Sequence, residues 1–249
     1  MNNPVTIVGS YLSPYVRKVL VVLNLKGIAY EIDPITPFLG DDRFSQLSPL
    51  RRIPVLVDDR VTLTDSTVIC EYLEDRYPQP SVFPADIVQR ARARWLEEFA
   101  DTRMGEVLIW RLFNQVVINP YVWGKATDDE ILQRTLSEDI PHVLDYLESQ
   151  LPDDGFLFGA LSVADIAITC PFRNAGFARF AIDAARWPRA AAFVARVLQH
   201  ESFQKLKPFE DRMMRTPLAQ HRTMLAEMGA PLTAESYSTG VPRRGLMEI

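Results

Sequence analysis

An α/β domain followed by an all-α domain is the fold class this chain predicts, on two observations. Apolar runs and helical periods alternate through residues 1–80 in the order strand, helix, strand, loop, strand, strand, helix. Beyond the proline-rich stretch Tyr77-Pro78-Gln79-Pro80-Ser81-Val82-Phe83-Pro84 the strand signal disappears. The chain divides accordingly into a first domain at 1–80, a linker region at 81–88, a helical domain at 89–215 and a tail at 216–249.

The run Val5-Thr6-Ile7-Val8 reads as a strand, and Val16, Val19, Leu20 and Leu23 mark the helix that follows. Ser13 is a preferred N-cap, and Pro14 falls at the first helical position, where its missing N–H is not needed. The helix reaches about Lys26, with Gly27 suited to a left-handed C-cap. Ile28, Tyr30 and Ile32 alternate with Ala29, Glu31 and Asp33 as a second strand, so the pair requires a parallel crossover. Residues 34–50, rich in Pro, Asp and Ser, form a loop with one helical turn near Arg43 to Leu47 and are placed over a site by their expected flexibility. Ile53-Pro54-Val55-Leu56-Val57 and Val61-Thr62-Leu63-Thr64 flank a turn at Asp58-Asp59-Arg60 and read as a hairpin. Asp65-Ser66 then opens a helix carrying Val68, Ile69, Tyr72 and Leu73. In the second domain a helical stretch runs from Asp86 to Val117. A capping box at Thr127-Asp128-Asp129-Glu130 opens a helix to about Leu151, kinked at Pro141, and another at Ser162-Val163-Ala164-Asp165 opens an apolar one. Trp187-Pro188 starts a shorter helix to about Gln199. The tail has a helix-compatible piece at 216–228 and then no periodicity, so its end is expected to be mobile.

Composition narrows the function. With 47% apolar residues and net charge −5, basic residues dispersed along the chain make no stripe for nucleic acid. No apolar run approaches the ~20 residues of a membrane span, and no secretory leader pattern opens the chain. The expectation is a cytoplasmic protein without a membrane partner. Cys70 and Cys170 sit in apolar helical patterns and suit packing. His142, His200 and His221 show no ligand spacing, so no metal is expected.

A helix start such as Ser13-Pro14 also carries chemistry, since orphan N–H groups and the positive dipole end favour an anion such as a thiolate. Capping alone is the commoner use of such a serine. Three motifs decide between them. Ser13-Pro14-Tyr15-Val16-Arg17-Lys18-Val19, Ile53-Pro54-Val55-Leu56 and Asp65-Ser66-x-x-Ile69-x-x-Tyr72-Leu73 resemble, in order and spacing, the thioredoxin-like domain of cytosolic glutathione transferases of the serine type, like those of bacteria. The likeness covers residues 1–80 and extends more loosely to about 210, where the Ser162 to Asp165 box matches one that serves folding in that family.

The resemblance implies a glutathione transferase fold and the following roles. Ser13, with Ser10 as the nearby alternative, donates a hydrogen bond to the glutathione sulfur. Ile53 pairs through its backbone with the cysteinyl part, held by a cis Pro54. Asp65 and Ser66 hold the γ-glutamyl end, although Asp stands where Glu or Gln is commoner and is one methylene shorter. Arg52, or its neighbour Arg51, takes the glycyl carboxylate. Glutaredoxins, which share the domain, carry Cys-Pro-Tyr-Cys where this chain has Ser13-Pro14-Tyr15-Val16, so dithiol exchange is excluded. The resemblance also implies a pocket for an apolar electrophile lined by Tyr11, Leu12, Phe38, Trp110, Phe113, Asn114, Val117 and Tyr121, a stripe that would equally serve a core. Phe209, Tyr237 or Leu246 is a candidate to fold over the site. A homodimer is implied, with Asp101 or Arg103 reaching the neighbour's glutathione or simply solvated. The implied activity is detoxifying addition of the glutathione thiolate to the electrophile. Alternatives are isomerase, dehalogenase or etherase chemistry at the same site, or a non-catalytic binding module of the same fold.

Overall fold

The computed structural model describes residues 5–243, which form two compact units: the chain up to Ser81 together with the chain from Glu201 onward, and Val82–His200. The sequence pattern drew the end of the helical domain at 215. In the structure the return to the first unit comes earlier, at residue 201, because α1 needs partners on more than one side.

The first unit is a four-stranded sheet in the order β2-β1-β3-β4, with β1 Val5–Val8, β2 Tyr30–Asp33, β3 Val55–Val57 and β4 Thr62–Thr64. β1 and β2 are parallel and joined by α1, Pro14–Lys26. β3 runs antiparallel to β1, and β4 antiparallel to β3. Gly27 ends α1 at φ 66°, as its position suggested. The loop after β2 contains a 3-10 turn at Pro37–Leu39 and α2, Asp42–Leu47, capped by Asp41. Helix α3, Ser66–Arg76, follows β4.

Helix α1 packs on α3 on one side and on α9, Glu201–Gln204, on another. It is therefore buried nearly all round, including Arg17, Lys18 and Lys26. A buried cation requires an anion or acceptors. Arg17 pairs with Glu210 of α10, Lys207–Met213, at 2.5 Å, with both side chains almost fully enclosed. Lys26 binds Glu74 at 2.7 Å and the carbonyls of Tyr77 and Pro80 at 2.7 and 2.8 Å.

The chain then continues through a 3-10 turn at Leu218–Gln220 and α11, His221–Glu227, in the expected helical piece. Beyond it residues 231–243 are hydrogen-bonded to β2 and to the loop after it, where the sequence led us to expect mobility. Leu246 lies outside the described residues.

In the second unit α4, Ile87–Phe99, is capped by Asp86 and continues as a π-wound stretch, Ala100–Trp123, past Pro120. Helix α5, Asp129–Arg134, is capped by Asp128; Thr127 is not the cap, because its hydroxyl donates to the Gln115 carbonyl at 3.0 Å. A π-wound turn at Thr135–Asp139 leads into α6, Ile140–Gln150. Helix α7, Val163–Phe177, is buried along most of its length and packs on α4, on the π-wound stretch and on α8, Pro188–Leu198. Asp165 reaches back to the Ser162 N–H at 2.8 Å, as the box predicts, and takes the Ser162 hydroxyl at 2.5 Å. Cys70 and Cys170 are free and buried. No helix among the described residues is long and apolar enough to cross a membrane.

Removing one member of a buried ion pair leaves the other charge stranded at a cost of about 3–5 kcal/mol. Glu210→Ala should show that loss in urea denaturation, and Arg17→Met combined with Glu210→Leu should recover most of it.

Candidate functional site

Strand register brings the three motifs together. Val8, the last residue of β1, lies opposite Val55, the first of β3, and Val55 lies opposite Thr64, the last of β4. The loop leaving β1, the turn entering β3 and the cap following β4 therefore all sit at one end of the sheet. Gly9 permits the closest of these approaches: a Cβ there would fall 2.5 Å from Val16 Cγ2 and 3.2 Å from Ile53 Cβ. The Ile53–Pro54 bond is cis.

The two serines differ in access. Ser10 is 2% exposed, and its hydroxyl accepts the Leu12 N–H at 3.2 Å. Ser13 is half-buried and caps α1, its hydroxyl accepting the Val16 N–H at 3.3 Å. Capping uses an acceptor lone pair and leaves the hydroxyl proton to donate. A thiolate at Ser13 would meet both this donor and the positive end of α1.

Asp65 and Ser66 form the second pole. Asp65 is exposed and caps α3, with Oδ1 accepting the N–H groups of Thr67 and Val68 at 2.9 and 3.2 Å. Its backbone sits at φ 78°, ψ 127°, a conformation that costs a non-glycine residue about 1–3 kcal/mol. Ser66 is buried in the first turn, where backbone N–H groups lack helical acceptors and suit a carboxylate. The buried Lys18 ammonium binds Thr67 Oγ1 at 3.1 Å and adds positive charge under this helix start. Lys18 was missed in the sequence because it reads as one more solvated lysine; its place between Val16 and the run Val19 to Leu23 is the signal that the helix buries that side too.

Other assignments separate here. Arg51 is not available for a glycyl carboxylate: its guanidinium is turned into the preceding loop, donating to the Gly40 carbonyl at 2.8 Å and the Ser45 hydroxyl at 2.5 Å. Arg52 remains exposed, with its backbone gripped by the Ser48 hydroxyl, which accepts the Arg52 N–H at 2.9 Å and donates to its carbonyl at 2.8 Å. Tyr11, expected to line a pocket, is fully buried with its ring 5.1 Å from that of Phe209, so it supports the Ser10 to Ser13 loop from behind. Burial, with the Tyr30 phenol beside it, pushes the Tyr11 hydroxyl well above the ordinary phenol range, and burial lifts Tyr30 to about 12. Arg17 also donates to the Tyr11 carbonyl at 3.4 Å, tying α10 to the loop. Leu12 and Phe38 are partly exposed.

In the second unit Trp110, Asn114 and Val117 are half-buried on the π-wound stretch, Phe113 is buried and Tyr121 is exposed. Arg103 is held within its own chain by Glu106 at 2.8 Å and Asp139 at 3.1 Å, in a network completed by Arg111. Among the described residues no group of three or more His, Cys, Asp or Glu is placed to hold a metal ion.

The family model for the glutathione S-transferase N-terminal domain matches residues 7–81, and that for the C-terminal domain matches residues 109–217. The chain belongs to the glutathione S-transferase family. Among its relatives is an uncharacterized GST-like protein, YibF, of Escherichia coli, 32% identical over 81% of this chain and 98% of that protein. A maleylacetoacetate isomerase of Pseudomonas aeruginosa is 30% identical over 80% of this chain and 93% of its own length. A crystal structure of a glutathione S-transferase from Rhodospirillum rubrum superposes with TM-score 0.74 at 28% identity, covering 81% and 91% of the two chains. The fold is thus the thioredoxin-like sheet domain plus helical domain of glutathione S-transferases, and the family implies glutathione binding.

Because glycine gives up only a few tenths of a kcal/mol as a cap and relieves a conformation costing about 1–3 kcal/mol, Asp65→Gly should stabilise the protein by about 1 kcal/mol. An unchanged or lowered midpoint of urea denaturation would show the Asp65 backbone to be unstrained.

Proposed function

We propose that this chain is a serine-type glutathione transferase, binding glutathione at the sheet end that carries Ser13, Ile53 and Asp65-Ser66 and using its sulfur to attack an apolar electrophile. The observation that carries the reading is the register, which gathers a half-buried serine with a free donor and a second helix start at the same place. Ser66 and the first turn of α3 receive the γ-glutamyl carboxylate, Asp65 the ammonium, Arg52 the glycyl carboxylate, and the Ile53 backbone the cysteinyl amide. A free thiol of pKa near ~8.5 is mostly protonated at neutral pH. The Ser13 hydroxyl and the α1 dipole favour the anion, so the thiol proton passes to solvent before the sulfur bonds to the electrophilic carbon; the electron pair displaced there leaves with a departing anion or, on addition to a double bond, takes a proton from solvent. Assembly as a cytoplasmic homodimer belongs to the same reading, with Ser13 favoured over Ser10 by its access.

A second reading keeps the site and recycles glutathione, as an isomerase would. The maleylacetoacetate isomerase among the relatives favours it, and net glutathione consumption separates the two. A non-catalytic module would lack the activated thiol.

Calorimetric titration with glutathione, joined to the ultraviolet absorbance of bound thiolate across pH, tests the reading. Binding is expected, with the bound thiol titrating below ~8.5, and failure to bind would sink it. Loss of one preorganised donor costs about 10²–10³ in turnover, so Ser13→Ala should lower kcat by that order, return the thiol toward its free value and leave glutathione affinity nearly intact. An unmoved thiolate titration would transfer the role to Ser10. Ser66→Ala removes a hydrogen bond to a charged group, worth about 1.5–3 kcal/mol; glutathione affinity should fall roughly 10- to 100-fold, and unaltered affinity refutes the assignment.

A further inference from the structure

The last described residues lie past the 109–217 match to the family's C-terminal domain, yet they are hydrogen-bonded along β2 and the loop that follows it. Residues 231–233 add to the outer edge of the sheet: the Ile32 N–H donates to the Pro231 carbonyl at 2.7 Å, and the Thr233 N–H to the Ile32 carbonyl at 3.1 Å. Next to this, Asp33, 1% exposed, anchors the segment. Its carboxylate accepts the Tyr237 N–H and the Ser236 hydroxyl, each at 2.8 Å, and pairs with Arg222 at 3.0 Å. The segment then runs along the loop that follows β2. The Asp41 N–H donates to the Tyr237 carbonyl at 2.7 Å, the Thr239 N–H to the Leu39 carbonyl at 2.6 Å, and the Arg43 guanidinium to the Ser236 carbonyl at 2.7 Å.

That loop is joined to the turn before β3. Arg51 fastens its Gly40 carbonyl and Ser45 hydroxyl, and Ser48 grips the Arg52 backbone from the loop's far end. A continuous set of hydrogen bonds thus leads from residues 231–243, through residues 39–48, to Arg51 and Arg52, the residues that precede Ile53. Without the segment the loop would keep its Asp41 cap and its bonds to Arg51 but lose the Tyr237, Thr239 and Ser236 partners of the Asp41 N–H, the Leu39 carbonyl and the Arg43 guanidinium, and any ordering of that stretch left to ligand binding would cost conformational entropy. Merely covering a sheet edge against aggregation would need only the contacts at Ile32; the bonds to Asp41 and Leu39 extend well beyond the edge.

We propose that residues 231–243 are a positioning strap for the glutathione half-site, holding the loop and the Arg52-Ile53 turn in the arrangement that glutathione requires. The proposal rests on the glutathione reading above. Because coupling is reciprocal, glutathione also tightens the strap.

Thr239→Pro removes the N–H that bonds Leu39 at a partly exposed position, and Arg43→Ala removes the bridge to the Ser236 carbonyl while leaving the strap's own sequence unchanged. In each full-length variant, amide exchange at Asp41 in the ligand-free protein should quicken and glutathione affinity should fall about fivefold or more. In the wild-type protein, saturating glutathione should slow exchange at the Tyr237 and Thr239 amides. Unchanged affinity in both variants, or strap amides indifferent to glutathione, would overturn the strap and reduce the segment to an edge cover. Ser66→Ala separates the two ideas: it should weaken binding with ligand-free exchange at Asp41 unchanged. Should the wild-type protein bind no glutathione at all, the half-site reading and the coupling both fail, a different result from a wild-type that binds and a strap variant that binds equally well.

Discussion

The pairing of β1 with β3 is the constraint on which the candidate site depends. Its register sets Val8 against Val55, and β4 follows by placing Thr64 against Val55. A slip of one residue would break the matches of Ile7 with Leu56 and of Val8 with Val55, all four fully buried. It would also carry the Ser13 cap away from the Asp65 cap. The same apolar burial that stabilises the sheet therefore sets the spacing of the polar groups at its end.

Helix α1 shows how strongly burial dictates long-range order. Enclosed on most sides, it carries three basic residues that no local sequence neighbour can neutralise. Arg17 finds Glu210, 193 residues away, and Lys26 finds Glu74 and two carbonyls beyond α3. Such pairs add little net stability against apolar replacements of like shape, but an unpaired member is costly, so they select one arrangement of chain segments over others. Asp33 does the same at the sheet edge. Burial raises its carboxyl above the usual range against the opposing pull of the Tyr237 N–H, the Ser236 hydroxyl and Arg222, and that anchor brings the end of the chain onto the loop after β2.

Both candidate poles are helix starts whose caps do two things at once. Ser13 accepts from the helix while keeping a proton to donate. Asp65 spends one carboxylate oxygen on two backbone N–H groups and keeps the other, from a backbone conformation that glycine would hold more cheaply. A stability gain forgone at such a position is what a binding role would explain.

Local chemistry was legible in the chain. The strands Val5–Val8 and Tyr30–Asp33, the Gly27 cap, the hairpin about Asp58 to Arg60, the caps at Ser13 and Asp65 and the reach of Asp165 back to Ser162 all follow from periodicity, capping preference and turn chemistry, which act between residues a few positions apart. The order of the three motifs was enough to indicate the family. Tertiary structure alone decided that Ser13 and not Ser10 has access, that Tyr11 is sealed beneath Phe209, that Arg51 turns into its own loop, and that residues 201–243 return to the first unit. Each of those outcomes depends on which distant surface closes over a side chain, and no local period records the partner across nearly two hundred residues.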